Sequence, residues 1–157
     1  MKVEQSIAIR RPADEVFDFL VDRSNDVAWM ASVVESEWLS ESGADAPGAV
    51  TVGRRGRMVM RLPRGPAEFV DEVAEYEHGR RIAHRTVSGP IPLYTACVCE
   101  PTDQGCRATV SGAADRLPGG LLGRIASPVV AAAIRRGFRA DLVTLKKLLE
   151  AGAPAGR

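Results

Sequence analysis

His84 is the side chain whose type and setting point most directly to chemistry. In RRIAHRTVS, Ile82, His84 and Thr86 alternate with Arg81, Ala83 and Arg85, so the imidazole shares a strand face with small and apolar neighbours. A neutral imidazole there, ordinarily titrating near pH ~6.5, could serve as general base or acid on an enolisable carbonyl. The same placement suits a core or rim histidine satisfied by a neighbouring hydroxyl or water. His78, beside Gly79, reads as a surface turn residue.

The thiols admit three readings. Leu93, Thr95, Cys97 and Cys99 alternate with Tyr94, Ala96, Val98 and Glu100, and after the PTDQG turn Cys106, Ala108 and Val110 take the inward set. Small apolar filler that widens a cavity is one reading. A redox-linked pair is the second, since a hairpin pairing residue 99 with 106 would set Cys106 across from Cys99. A zinc site is the third, and it lacks a fourth ligand. No Ser-His-Asp set, phosphate loop or spaced pair of acids is present, so neither a metal nor a cofactor is expected.

These residues must be positioned by strands, because residues 43–115 read as a meander broken by Gly- and Pro-containing turns. Met58, Met60 and Leu62 alternate with Arg57, Val59 and Arg61, which puts the methionines on the inner face. Ahead of the meander, Val3 to Ile9 alternate as a half-buried strand. Pro12 then opens a helix with Val16, Phe17 and Leu20 inward, Asp22 to Asn25 break it, and Asp26 to Met30 add a turn before a strand from Val33 to Leu39. After residue 120 the period changes. Val130, Ile134, Phe138, Leu142, Leu145 and Leu149 form one helical stripe opposite Arg135, Arg139 and Lys146. Pro128 predicts either a start at Ser127 or a kink after a short lead-in. Gly137 costs about 1 kcal/mol inside that helix relative to Ala; a close approach by ligand or strand, or simple tolerance, would each account for it.

One strand, a helical pair, about six strands and a long helix make an α+β chain with its helices on one face of an antiparallel sheet. The length suits one domain over residues 1–151, with 152–157 a frayed tail. With 21 Lys and Arg against 20 Asp and Glu, the net charge is +1, and no overall field draws the protein to nucleic acid. Arg54, Arg55, Arg57, Arg61 and Arg64 read as a solvated strand face. No segment has the apolar length of a membrane span, and the MKVEQSIAIRR start lacks a signal-peptide core, so the expected location is cytoplasmic and the expected state a monomer or homodimer.

The segments SIAIRRPADEVFDFLVDRSNDVAWM, EVAEYEHGRRIAHRTVSGP, CVCEPTDQGCRATVS and RADLVTLKKLLE together resemble the helix-grip proteins of the START and Bet v 1 type (the SRPBCC superfamily), in their polyketide cyclase/dehydrase-like branch. The resemblance implies a curved sheet of about seven strands gripping the last helix around a cavity, and it carries no catalytic motif with it. A small apolar or aromatic molecule, polyketide-like or lipid-like, is the implied partner. Strand parity and helix spacing give the expected lining as Trp29, Met58, Met60, Ile82, Thr86, Leu93, Thr95, Cys97, Cys99, Val110, Ile134 and Phe138, with Tyr94 at the rim and His84 as the candidate catalyst. Two functions stay open on these residues. One is cyclisation, aromatisation or dehydration by positioning with acid-base help from His84. The other is a non-catalytic carrier or sensor, with a toxin- or co-chaperone-like interaction protein behind both.

Overall fold

Each change of sequence period falls where the backbone changes state. A computed structural model describes residues 2–40, 50–114 and 120–152, the side chains of 120–127 excepted. It runs β1 (Lys2–Ile9), α1 (Ala13–Val21), a 3-10 turn (Arg23–Asn25), α2 (Asp26–Trp29), β2 (Val33–Trp38), β3 (Arg55–Leu62), β4 (Gly65–Glu77), β5 (Arg81–Ser88), β6 (Leu93–Thr102), β7 (Gly105–Ala114) and α3 (Gly120–Glu150). The strands form one antiparallel sheet in the order β1-β7-β6-β5-β4-β3-β2. Neighbours from β2 to β7 are therefore consecutive in sequence, and only β1 joins across the chain, on β7. This is the helix-grip arrangement that the resemblance implied.

Local chemistry explains the helical pair. Pro12, at φ −56°, leaves its carbonyl to accept from Val16 N and starts α1, and Asp14 and Glu15 sit in the first turn, where the helix dipole favours acids. The Asp22 carboxylate ends α1 by accepting from Ser24 N at 3.0 Å and Ser24 Oγ at 2.6 Å, which turns the chain into the 3-10 segment. Val16, Phe17 and Leu20 of α1 then meet Leu142, Leu145 and Leu149 of α3 and Ile9, Val73, Ile82, Cys99 and Ala108 of the sheet in one buried core.

Of the two readings that Pro128 left open, α3 takes the lead-in: the helix begins at Gly120 and carries Pro128 in its interior, and Ser127 is not its start. Val129, next to Pro128 and one residue ahead of the apolar stripe, is 74 % exposed. Gly137 has nothing within 4 Å of where a Cβ would stand, so among the described residues no crossing strand requires it. The tail beyond residue 152 and the side chain of Leu122 lie outside the described residues.

Candidate functional site

Register decides which side chains share a row on the inner face. Trp38 pairs with Gly56, Gly56 with Asp71 and Asp71 with Thr86, giving one row across β2 to β5. Ser36, Met58 and Phe69 form the adjacent row, and Val73, His84, Thr95 and Gly112 form a row on the other side, across β4 to β7. Gly56 leaves a gap among the larger side chains of its row. The gap is filled from above.

The helical pair supplies the filler. Arg23, Asp26 and Trp29 recur every third residue and are each 4 % exposed, while Ser24, Val27 and Ala28 between them face outward. The Arg23 guanidinium occupies the space over Gly56, where an added Cβ would stand 2.2 Å from its Cζ. It is ion-paired with Asp71 and lies 4.5 Å from the Trp38 ring centroid. A desolvated guanidinium over an indole face is stabilised by about 2 kcal/mol. Trp38 is held in turn by its indole N–H, which donates to the Val21 carbonyl at 3.2 Å. The His84 ring lies 6.1 Å from Trp38, so imidazole, indole and guanidinium form one cluster.

The setting alters what each group can do. Burial pushes the His84 imidazole down to about 3, and the nearby Arg23 charge pushes the same way. The ring is therefore neutral at pH 7 and a feeble base. Burial raises the Asp26 carboxyl to about 7, against the pull of a 2.7 Å hydrogen bond from Ser36 Oγ and of Arg23. Asp26 forms no ion pair among the described residues. Asp71 is also raised by burial, and Arg23 draws it back. Cys97 is pushed up to about 12, chiefly by burial, and Cys99 is raised for the same reason, so neither thiol is a nucleophile at neutral pH.

Four buried polar atoms have no hydrogen-bond partner among the described residues: Arg23 Nε and Nη1, Trp29 Nε1 and His84 Nε2. Leaving such atoms unsatisfied costs about 1–3 kcal/mol each, more for a charged group. Folded proteins carry few such groups.

The expected lining divides into three groups. Met58, Met60, Thr86, Leu93, Thr95, Cys97, Val110, Ile134 and Phe138 are half-buried although the strand residues among them point inward. Phe138 of α3 lies against Gly112, whose added Cβ would come within 3.2 Å of the ring. Ile82 and Cys99 belong instead to the closed core, because α1 covers that end of the sheet, and Trp29 is buried with them.

Tyr94 is a correction. Its parity puts it on the convex face, where its phenol sits with Glu75 and Arg81, away from the inner face. The thiol pair is a second. The β6–β7 turn is tight, with Thr102 opposite Gly105, so Cys99 faces Ala108 while Cys106 faces Pro101, and all three thiols are free. Sequence reasoning missed Arg23, Asp26, Ser36, Trp38 and Asp71. The three-residue recurrence through RSNDVAW was the available signal for the first two.

The Gly56 gap yields a paired prediction. Gly56→Ala forces the guanidinium off its seat and is expected to destabilise by about 1–3 kcal/mol, as overpacking does. Gly137→Ala, placed in open space on a helix, is expected to stabilise by up to about 1 kcal/mol. Urea unfolding of both variants checks the contrast, and equal behaviour would remove the claim that Gly56 makes room for Arg23.

Comparison with known proteins adds the family. No curated protein matches the sequence. Among solved structures, TTHA0849 from Thermus thermophilus superposes with a TM-score of 0.78 at 16% identity, over 98% of this chain and 99% of that one. The Zhui aromatase/cyclase from Streptomyces sp. R1128 gives 0.74 at 18% identity, over 96% and 93% of the respective chains. The di-domain ARO/CYC BexL from the BE-7585A biosynthetic pathway gives 0.66 at 21% identity, over 96% of this chain and 46% of that one. These likenesses establish a shared fold. With residues 1–150 matching as well, the chain belongs to the polyketide cyclase/dehydrase and lipid transport family.

Proposed function

We propose that the protein binds a polyketide-like or other aromatic-precursor molecule on its inner face and promotes cyclisation, aromatisation or dehydration by holding it folded. The observation that carries this reading is the set of three unpartnered polar atoms beside Trp38, Arg23 Nε and Nη1 and His84 Nε2, which would hold one end of a mostly apolar ligand. Met58 and Met60 offer an adaptable wall beside it. Positioning can supply about 7–11 kcal/mol in favourable intramolecular cases, so chemistry needs little more than one well-placed proton carrier.

His84 is a hydrogen-bonding group in this scheme and not the base, since a base titrating at about 3 is mismatched to neutral pH. Asp26, at about 7, suits proton transfer better. A carrier of the same molecules that leaves them unchanged is the second reading, favoured by the aliphatic and thiol-lined remainder of the face. Aromatase/cyclases among the structural neighbours support the first.

Native mass spectrometry tests the premise, with the protein exposed in turn to polyphenols, hydroxyanthraquinones and fatty acids. Preferential retention of the aromatic compounds supports the proposal. Retention of fatty acids alone moves the protein to the carrier reading, and retention of none removes ligand binding altogether.

A further inference from the structure

Arg135, Arg136, Arg139 and Lys147 of α3 are exposed, and none has an ion pair or hydrogen bond among the described residues. The neighbouring acids are engaged elsewhere. Asp141 accepts from Ala31 N at 3.1 Å, and Glu150 accepts from Arg10 N at 2.9 Å and from Lys146 Nζ at 2.8 Å. Exposed arginines on the sheet have acids beside them instead: Arg57 lies among Glu35, Glu37 and Glu68, and Arg107 pairs across strands with Glu100. Between Asp115 and Asp141 the sequence has five arginines and no acid, which leaves 16 basic against 20 acidic residues in the rest of the chain.

The face that carries these cations is low and apolar between them. Val129 is 74 % exposed, and Ala132, Ala133, Gly137 and Ala140 are exposed with it, whereas Ala131, Leu142 and Leu145 on the opposite side of the helix are buried. Residues 128–140 include no Asp, Glu, Asn or Gln to match the polar groups of a protein partner, and their two largest apolar side chains, Ile134 and Phe138, turn toward the sheet. A protein partner is recognised chiefly through large anchors seated in pockets. A flat anionic surface asks only for positive charge and a shallow apolar edge, and this helix face supplies both.

We propose that the exposed face of α3, from Val129 to Lys147, docks on an anionic lipid bilayer. The docking does not depend on the ligand-binding reading above. Arg135, Arg136 and Arg139 lie within about 6 Å of helix rise, less than a Debye length of about 8 Å at physiological ionic strength, so their fields add. The acidic remainder of the molecule is repelled by the same surface and turns this face toward it.

The experiment is co-flotation of the full chain with phosphatidylcholine vesicles, with and without about 30% phosphatidylglycerol, at about 50 mM and about 500 mM salt. Binding to the anionic vesicles is expected to be about tenfold or more tighter than to phosphatidylcholine alone, and to vanish at the higher salt. Replacing Arg135, Arg136 and Arg139 together by Gln should weaken it about 100-fold, since each cation near an anionic surface contributes about fivefold. Arg61→Gln, Arg64→Gln and Arg107→Gln combined removes the same charge from exposed positions on the sheet and should change binding by less than about threefold. Val129→Ser should weaken it about threefold, because the valine meets the headgroup boundary. All these side chains are exposed, and circular dichroism should show every variant folded as the parent is.

Equal binding to both kinds of vesicle would overturn the proposal, as would equal losses in the two triple variants. Polyglutamate is the comparison ligand. Binding to it that depends on Arg135, Arg136 and Arg139, with no binding to vesicles, would assign the face to an acidic polypeptide and overturn the bilayer. Binding to none of the three would overturn it as well and leave the arginines a solvated face.

Discussion

Arg23→Met is expected to lose about 3–5 kcal/mol of stability at pH 7.5, the usual result of removing one partner of a buried ion pair. The side chains of Arg23 and Asp71 are 5% and 13% exposed, so the surviving Asp71 carboxylate has little water to turn to. Two further losses accompany it, the stacking on Trp38 and the filling of the Gly56 gap. The deficit should shrink as pH is lowered. Burial already raises the Asp71 carboxyl and Arg23 is what holds it back, so without Arg23 the carboxyl escapes by taking a proton. Arg23→Met combined with Asp71→Leu should regain most of the loss, since apolar replacement of both partners is often neutral or better. A single Arg23→Met variant within about 1 kcal/mol of the parent in urea unfolding would show that the pair is solvated and the argument from burial misplaced.

The site was harder to see in the sequence than the sheet that carries it, for a reason that Arg23 makes concrete. Alternation identifies a strand face because every second residue shares an environment, and it put Met58, Met60, His84, Thr95, Cys97 and Val110 on the inner side correctly. It also put Arg57 outward, where Glu35, Glu37 and Glu68 surround it. Alternation cannot say how deep along the strand the core ends. Ile82 and Cys99 therefore looked like lining, although α1 closes over them. Asp71 escaped notice because a carboxylate in a strand is ordinarily solvent-facing, and only the row set by Gly56 and Trp38 shows that it points at a buried cation. Arg23 and Asp26 lie in a break between helices, and reading RSND as a polar loop hid a three-residue period that ends in Trp29. For Ile82, Cys99 and Asp71 the missing information was a pairing between distant segments, which no local pattern encodes.

Asp26→Asn and His84→Gln are expected to change stability with opposite dependence on pH. Asp26 has its carboxyl raised from 3.8 to about 7, so the folded protein holds that proton more tightly than the unfolded chain does. Its contribution is fully present below pH ~4 and is lost as pH rises toward 7, by up to about 1.4 kcal/mol per pH unit. His84 is lowered from 6.5 to about 3, so the unfolded chain binds its proton more readily. Its contribution is present above pH ~6.5 and is lost as pH falls toward 3, with the same limiting slope in the other direction. Between about pH 4 and 6.5 the two slopes oppose and largely cancel in the parent protein. Removing either group exposes the other. Asp26→Asn should therefore become less stable than the parent's trend as pH falls below 6.5, and His84→Gln less stable as pH rises from 4 to 7. Urea unfolding at pH 4.5, 5.5, 6.5 and 7.5 reads both curves, and the doubly substituted protein should return to the parent's flatter profile. Ser36→Ala sharpens the test, because it removes the 2.7 Å hydrogen bond that favours ionised Asp26. The upper limit of the Asp26 window should then move above 7 while the lower limit, set by the unfolded chain, stays where it was. Parallel curves for the two single variants would mean that neither group is buried in the way the cluster requires.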